Sequence, residues 1–442
     1  MKISLNLKTP IHIGDGREIY AYEYIFDNVK KRLYVYDFKN IVDILVETFE
    51  NINLQRVKEI FFTYKKINGK TEIKLKELKN ILKACNYFID FKTFNGVLKI
   101  EDKEIKPIYT LRVLTNSVKD RIKTYIKTLN HAYIPGSEIK GALRTAFLYY
   151  LFKKYLTKND DFFKDFQNKI RKYIEENNEK KNQKKLKEIK LYEEIIQNKF
   201  LRDDKKDASR DFFKFIFVSD SYEKMIPENS LYVVNSEIFN SSKPGESVEV
   251  LKEDSSWNFD FEIDTKKLSY LINQVKPFKN SYKLIREEIK DISNIDCKTF
   301  LQLTKEFYKD LVDFEIWYWE RGYGYFAQNS GRNHKERDVA KEKIKDDILN
   351  FYKNLKAELE KNTNVFPIRI GKYINRYSHV ILLVLWVKAI RENDNECRDL
   401  LDLAIKNYKN PFSFKTRRYL YNETKQKYLP FGWAYMFYKG KS

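Results

Sequence analysis

The chain has 442 residues, and its 43% hydrophobic and 33% charged content describes a soluble globular protein, with room for two or three packed domains, rather than a disordered or membrane-spanning chain. Lys and Arg number 84 against 63 Asp and Glu, a formal net charge of +21, which fits either a polyanionic partner held through its phosphates or simply a lysine-rich proteome. The three cysteines (Cys85, Cys297, Cys397) and four histidines (His12, His131, His334, His379) are scattered, so neither a disulfide framework nor a metal site is signalled, no cofactor is called for, and a reducing cytoplasm is expected.

Residues 2–8 alternate, with Ile3, Leu5 and Leu7 on one face, and predict a half-buried strand. TPIHIGDG (9–16) follows as a turn whose Gly14 and Gly16 permit close backbone approach. YAYEYIFD and KRLYVYDF read as a hairpin. From about 40 to 105 the pattern is helical and charged, and 112–130 is basic. The start KISLNLKTP lacks the apolar stretch of a signal peptide.

At YIPGSEIKGALRTAFLYY (133–150) a helix is expected, with Ser137 as its N-cap after a Pro-Gly turn. Its charges are in the wrong place. Lys140 stands where a capping box has Glu or Gln, and Arg144 follows one turn later. Both oppose the macrodipole and repel one another. At 3.6 residues per turn, Ile139, Leu143, Ala146, Phe147 and Tyr150 form a core stripe, while Ser137, Lys140, Gly141 and Arg144 share the opposite face. That face reads as a helix N-terminus awaiting an anion, or as a merely solvated basic face.

Beyond it, 151–210 is strongly polar with mixed charges and predicts an exposed helical insertion. FFKFIFVSDS (212–221), LYVVNSEIF and SVEVLKEDSSWNFDFEI supply strands. Residues 265–362 return to helix. FPIRIGKYINRYSHVILLVLWVKAI gives a strand, a turn and a buried element whose run VILLVLWV (380–387) is too short to span a bilayer and is either strand or helix. The tail from 405 is basic and aromatic. Strands with interleaved helices make the fold class α+β.

TPIHIGDG followed far downstream by YIPGSEIKGALRTAF resembles the RAMP superfamily of CRISPR-associated RNA-binding proteins. Within it, the order of FFKFIFVSDS, SVEVLKEDSSWNFDFEI, FPIRIGKYINRYSHVIL and PFGW (430–433) resembles the terminal backbone subunits of type III-A (Csm) effector complexes. The resemblance implies an RRM-like (ferredoxin-like) core with large helical insertions. It divides the chain into a core at 1–150, interrupted at about 40–105, an insertion at 151–210, and a second half of the RAMP fold at 211–442 with an insertion at about 265–362. It also implies a subunit without nuclease chemistry of its own, capping the 3′ end of the CRISPR RNA and contributing to its maturation. Its partners would be that RNA, a target single-stranded RNA, neighbouring RAMP backbone subunits and host nucleases for trimming, with no membrane.

The residues expected to contact RNA are His12, Gly14, Asp15 and Gly16 in the first block, and Ser137, Lys140, Gly141 and Arg144 in the second. Where RAMP proteins commonly carry a glycine-rich loop near the C-terminus, this chain has only Gly371, with Gly432 much later. Lys372, Tyr373 and Arg376 would meet phosphate and base there, or are ordinary surface residues. His12 and Asp15 also raise the alternative of a RAMP-fold endoribonuclease, with His12 as general base. Against that, His12 alternates with Ile11 and Ile13 as a strand residue does, and Asp15 between two glycines is a usual turn aspartate. No Walker A, HExxH or GxSxG motif occurs.

Overall fold

The computed structural model describes residues 1–48, 55, 80, 91–94, 96–158, 160–176, 211–239, 245–274, 296–322, 339–373, 376–406 and 417–439. Its first sheet runs in the order β12 (Ile216–Val218), β15 (Ser256–Ile263), β1 (Lys2–Leu7), β19 (Trp433–Lys439), β16 (Val365–Arg369), and every neighbouring pair is antiparallel. Ile3, Leu5 and Leu7 are buried as the alternation requires. Ser4 is buried too, because its hydroxyl meets that of Ser256 at 2.9 Å.

Helix α2 (Gly136–Lys158) joins β1's half of the chain to β12, and α6 (Cys297–Trp317) joins β15 to β16 and β19. The path β1–α2–β12–β15–α6–β19, with spatial order β12-β15-β1-β19, is that of a βαββαβ unit, and β16 extends its edge. The α2 stripe is buried throughout: Leu143, Ala146 and Phe147 have no exposed surface, Ile139 keeps 2% and Tyr150 8%. Phe147 packs on Phe212, Phe213 and Phe300, tying α2 to α6 and to the 3-10 turn before β12. The expected segments 1–150 and 211–442 therefore share one sheet, with β1 between two strands of the second half.

A second sheet runs β2 (Gly14–Tyr20), β9 (Arg121–Tyr125), β14 (Glu246–Leu251), β13 (Leu231–Ile238), β8 (Tyr109–Val113), β4 (Arg32–Val35), β3 (Tyr24–Asp27). The hairpin β17 (Arg418–Asn422)–β18 (Lys427–Pro430) joins it through β13, and β10 (Lys127–Thr128) pairs with β11 (His131–Ala132). The expectation of helix from about 40 to 105 holds at its start and is corrected at its end. Only α1 (Phe38–Thr48) is helical there among the named elements, and 91–105 forms an antiparallel sheet of β5 (Phe91–Phe94), β6 (Val97–Ile100) and β7 (Lys103–Ile105). Leu98, Ile100 and Ile105 pack against Ile41 and Leu45 of α1, so a period of two was concealed inside a charged stretch. The helical reading of 58–88 lies outside the described residues, apart from position 80.

The polar segment after 150 holds the end of α2 and α3 (Asp160–Glu176), while 177–210 lies outside the described residues. One turn of helix, α4 (Pro227–Ser230), precedes β13, and α5 (Thr265–Gln274) follows β15. The long helices α6 and α7 (Val339–Lys361) pack together, with Trp433 at their foot touching Tyr308 and Tyr352. VILLVLWV proves helical: Val380–Trp386 completes α8 (Arg376–Trp386), and its side chains are buried all round because α2, α6 and α9 (Asn395–Lys406) enclose it.

Candidate nucleic-acid interface

Three motifs far apart in sequence meet at one place. Beyond β1, Thr9 and Pro10 pair with Gly432 and Trp433, through Thr9 N–H to Trp433 O at 3.1 Å and Gly432 N–H to Pro10 O at 3.0 Å. Ile11 pairs with Leu251 on the other side, donating at 3.3 Å and accepting at 2.8 Å. Lys372 N–H donates to His12 O at 2.7 Å. TPIHIGDG is thus held between PFGW, IGKY and the end of β14. Gly371 makes the approach possible: its φ is +92°, and a Cβ there would sit 2.6 Å from the His12 carbonyl oxygen.

The turn that follows is a bulge. Gly14 pairs with Tyr125, but the next pair is Glu18 with Lys123, so Asp15, Gly16 and Arg17 loop out and are exposed. Gly16 has φ +87° with open space around its Cα. Asp15 Oδ1 accepts from the Thr124 hydroxyl and, at 2.9 Å, from Arg17 N–H. Its carboxylate therefore shapes the bulge, as the turn reading held.

His12 is almost fully buried. Its Nδ1 lies 2.7 Å from the Glu249 carbonyl, which can only accept, so Nδ1 carries the proton. Burial lowers the imidazole pKa to about 4, against the opposing effect of that hydrogen bond, and the ring is neutral at pH 7. Nε2 is then a bare acceptor, buried without a hydrogen-bond partner, and a Cβ at Gly14 would stand 3.1 Å from it. His12 and Asp15 form no acid–base pair, since each is hydrogen-bonded elsewhere.

Behind the bulge Glu249 is fully buried. It is satisfied by the Lys127 ammonium, by Tyr109 Oη at 2.8 Å and by Tyr125 N–H at 2.8 Å. In front of it lies a cationic cluster. Glu246 accepts from Lys123 at 2.6 Å and from Tyr373 Oη at 3.1 Å, and Arg418 is 3.3 Å away. Burial works against the Glu246 charge, but the Lys123 hydrogen bond and Arg418 outweigh it and hold its carboxyl below the usual range. Lys372 is exposed beside Lys123, and burial of its stem together with the Lys123 charge pushes its ammonium pKa down. Three cations thus surround one carboxylate. Lys123 and Arg418 belong to the basic stretches of the sequence, but period and composition could not mark them as neighbours.

Tyr373, expected to meet base or phosphate, also has partners within the chain. Its ring stacks on His12 (centroids 5.8 Å apart), and Arg418 lies 4.6 Å from the ring centroid. Its backbone takes the left-handed conformation, at φ 75°. Arg376 opens α8; its side chain lies outside the described residues.

The helix start is corrected. Helix α2 begins at Gly136, one residue before the expected N-cap. Gly136 N–H donates to Asp220 Oδ1 at 2.9 Å, so VSDS adds a second carboxylate to the Glu138 that the first turn already carries. A Cβ at Gly136 would meet the Ser219 and Val218 carbonyl oxygens at 2.3 Å. Arg144 is not a free cation awaiting phosphate: its guanidinium is ion-paired with Asp211. Ser137 is exposed in the first turn, and Gly141 is half-buried. Lys140 is half-buried 5.9 Å from the Phe217 ring, its pKa lowered chiefly by burial, and forms no ion pair among the described residues. Tyr125 links the two blocks: its backbone pairs with Gly14 and its hydroxyl donates to Tyr133 O at 2.9 Å.

Among the described residues no group of three or more His, Cys, Asp or Glu is placed to hold a metal ion, and no helix is long and apolar enough to cross a membrane.

These features define an α+β protein built on a βαββαβ sheet, with a glycine-bearing bulge and a cationic cluster at the junction with its second sheet. The chain belongs to the RAMP superfamily, whose family model matches residues 4–372. Over 120 residues it is 31% identical to the CRISPR system Cms protein Csm5 of Methanocaldococcus jannaschii, a stretch that covers 26% of this chain and 23% of that relative's length. Its fold is similar to the crystal structure of T. onnurineus Csm5, with TM-score 0.59 and 18% identity over 98% of this chain and 99% of that one. It is also similar to a chain in the cryo-EM structure of a Csm-crRNA-target RNA ternary complex of a type III-A CRISPR-Cas system, with TM-score 0.62 and 18% identity over 99% of this chain and all (100%) of that one.

Proposed function

We propose that the chain is a non-catalytic, RNA-binding backbone subunit of a type III-A CRISPR effector complex. It caps the filament of repeating RAMP subunits at the 3′ end of the CRISPR RNA, contributes to maturation of that RNA, and so serves antiviral defence in the cytoplasm. The observation that carries this reading is the convergence of the GDGR bulge, the Gly371 turn and the cations Lys123, Lys372 and Arg418 beside Glu246. Exposed backbone at the bulge offers N–H groups to a strand, and the excess positive charge offers counterion release when phosphates bind. Ser137 and Lys140, linked to the bulge through Tyr125, extend the track.

Likeness to the two Csm chains supports the choice of complex. The partners are CRISPR RNA, a target single-stranded RNA, adjacent RAMP subunits and the host nucleases that trim the RNA. His12 fits a holding role, since a buried neutral imidazole at a pKa of about 4 is a weak base at neutral pH. The test is to assemble the complex with and without this chain and to sequence the 3′ ends of the bound RNA. Loss of the chain, or Lys123→Gln with Lys372→Gln, should shift the distribution of 3′ ends and of filament lengths; unchanged ends and lengths would refute the reading.

One observation favours the endoribonuclease alternative: the bare His12 Nε2 lies beside Gly14. Incubating the purified chain with repeat RNA decides it. Site-specific cleavage abolished in His12→Ala would establish a nuclease, and no product is expected.

A further inference from the structure

A cavity of about 490 Å³ opens over β4 and β8 of the second sheet, against the single turn α4. Its lining includes Lys30, Arg32, Leu111, Arg112, Glu228 and Lys252. Arg32 and Arg112 stand directly opposite one another in the antiparallel register, an arrangement that costs stability in a sheet. Neither has a carboxylate partner among the described residues. Asp27, which faces Arg32 from β3, uses Oδ1 to accept from Val29 N–H at 3.0 Å and Lys30 N–H at 2.9 Å. Glu228 is likewise engaged, its Oε1 accepting from Thr110 N–H at 2.6 Å. Lys252 Nζ is fixed at the rim by the carbonyls of Glu228 and Asn229, at 3.1 and 2.9 Å. Its pKa is lowered by burial and then by Arg112, with Glu253 acting in the opposite direction.

We propose that this cavity binds the phosphates of a nucleotide, either free or at the phosphorylated end of a strand. Four cations line it against the one carboxylate of Glu228. The volume is that of a small-molecule site, which runs at roughly 300–1,000 Å³, and far exceeds one phosphate. The lining holds no aromatic ring, so the phosphates are read and the base is not. The site is separate from the bulge: β8 and β9 are three strand spacings apart in the sheet order, about 14 Å.

Calorimetric titration of the full chain tests this with ADP, GDP, adenosine, inorganic phosphate and a 5′-phosphorylated trinucleotide. ADP and GDP should bind alike, at least tenfold more tightly than inorganic phosphate, and adenosine should give no heat. The double variant R32Q/R112Q should lose at least tenfold in ADP affinity. Its melting temperature should be equal or higher, since the cross-strand repulsion is gone, which distinguishes a lost site from a lost fold. Tighter binding of the trinucleotide than of ADP identifies a strand end as the ligand; the reverse order identifies a free nucleotide. No heat with ADP, equal affinity for inorganic phosphate, or full ADP affinity in the double variant overturns the proposal.

Discussion

Asp211 ion-pairs with Arg144 across 67 residues of sequence, and its other oxygen accepts from Phe213 N–H at 3.0 Å. One carboxylate therefore closes the 3-10 turn before β12 and neutralises the cation that α2 carries near its start. Both side chains are largely shielded, so neither is easily left alone.

Arg144→Ala should consequently destabilise the fold, by roughly 1–3 kcal/mol for a hydrogen bond between charged groups. Asp211→Ala should cost at least as much, because it strands the guanidinium and the turn N–H together. RNA affinity of Arg144→Ala should stay close to wild type. Thermal unfolding and RNA titration check both halves; a stable variant with weakened RNA binding would restore the anion-site reading of this residue.

Leu143 tests the opposite face of the same helix. It has no exposed surface, so Leu143→Ala should cost roughly 2–5 kcal/mol through a cavity against the aromatic cluster. Denaturant unfolding measures it, and a loss below 1 kcal/mol would mean that the site collapses to fill the void.

Gly371→Ala should be damaging although Gly371 lies in a turn. A residue with a Cβ at its φ of +92° costs roughly 1–3 kcal/mol, and the methyl would press on the His12 carbonyl. The Lys372–His12 hydrogen bond should break with it. A lowered melting temperature together with weaker RNA binding is expected, and a variant indistinguishable from wild type would show that the turn tolerates a side chain.

Salt dependence probes the cationic cluster. Each phosphate neutralised on single-stranded RNA contributes about 0.7 to the slope of log affinity against log salt. Lys372→Gln should therefore lower the slope by about that amount. An unaltered slope would remove Lys372 from the RNA contact.

What the sequence made legible was what periodicity encodes. The β1 alternation and the α2 stripe were readable because each repeats against a single buried face. The motif blocks were readable as a family resemblance, and their glycines marked where chains approach. What remained illegible was pairing at a distance. Asp220 accepts from the first N–H of α2 and Asp211 pairs with Arg144, yet they lie 84 and 67 residues from their partners. The Glu246 cluster draws Lys123, Tyr373 and Arg418 from three separate segments. No local pattern joins them. The sheet at 91–105 is hidden for a different reason, since strands of three or four residues leave too few repeats to outweigh a charged helical context.

His12 provides the sharpest test of the interface, through pH. Its ordinary pKa of 6.5 falls to about 4 in the folded chain, chiefly through burial. Above pH 6.5 both states hold the ring neutral, and no stability is at stake. As pH falls below 6.5 the unfolded chain takes up a proton that the folded chain refuses until about 4, so stability declines through that window. The difference of 2.5 units corresponds to roughly 3 kcal/mol in full, of which roughly 2 kcal/mol is lost by pH 5. His12→Asn keeps a donor for the Glu249 carbonyl but cannot titrate. Measured between pH 7.5 and pH 5, the unfolding free energy of the wild type should fall by about 2 kcal/mol more than that of the variant, the carboxylates contributing equally to both. Equal slopes would mean that the ring is open to water and accepts a proton in the folded state. His12 would then be an accessible base beside the GDGR bulge, and the nuclease reading would gain the group it needs.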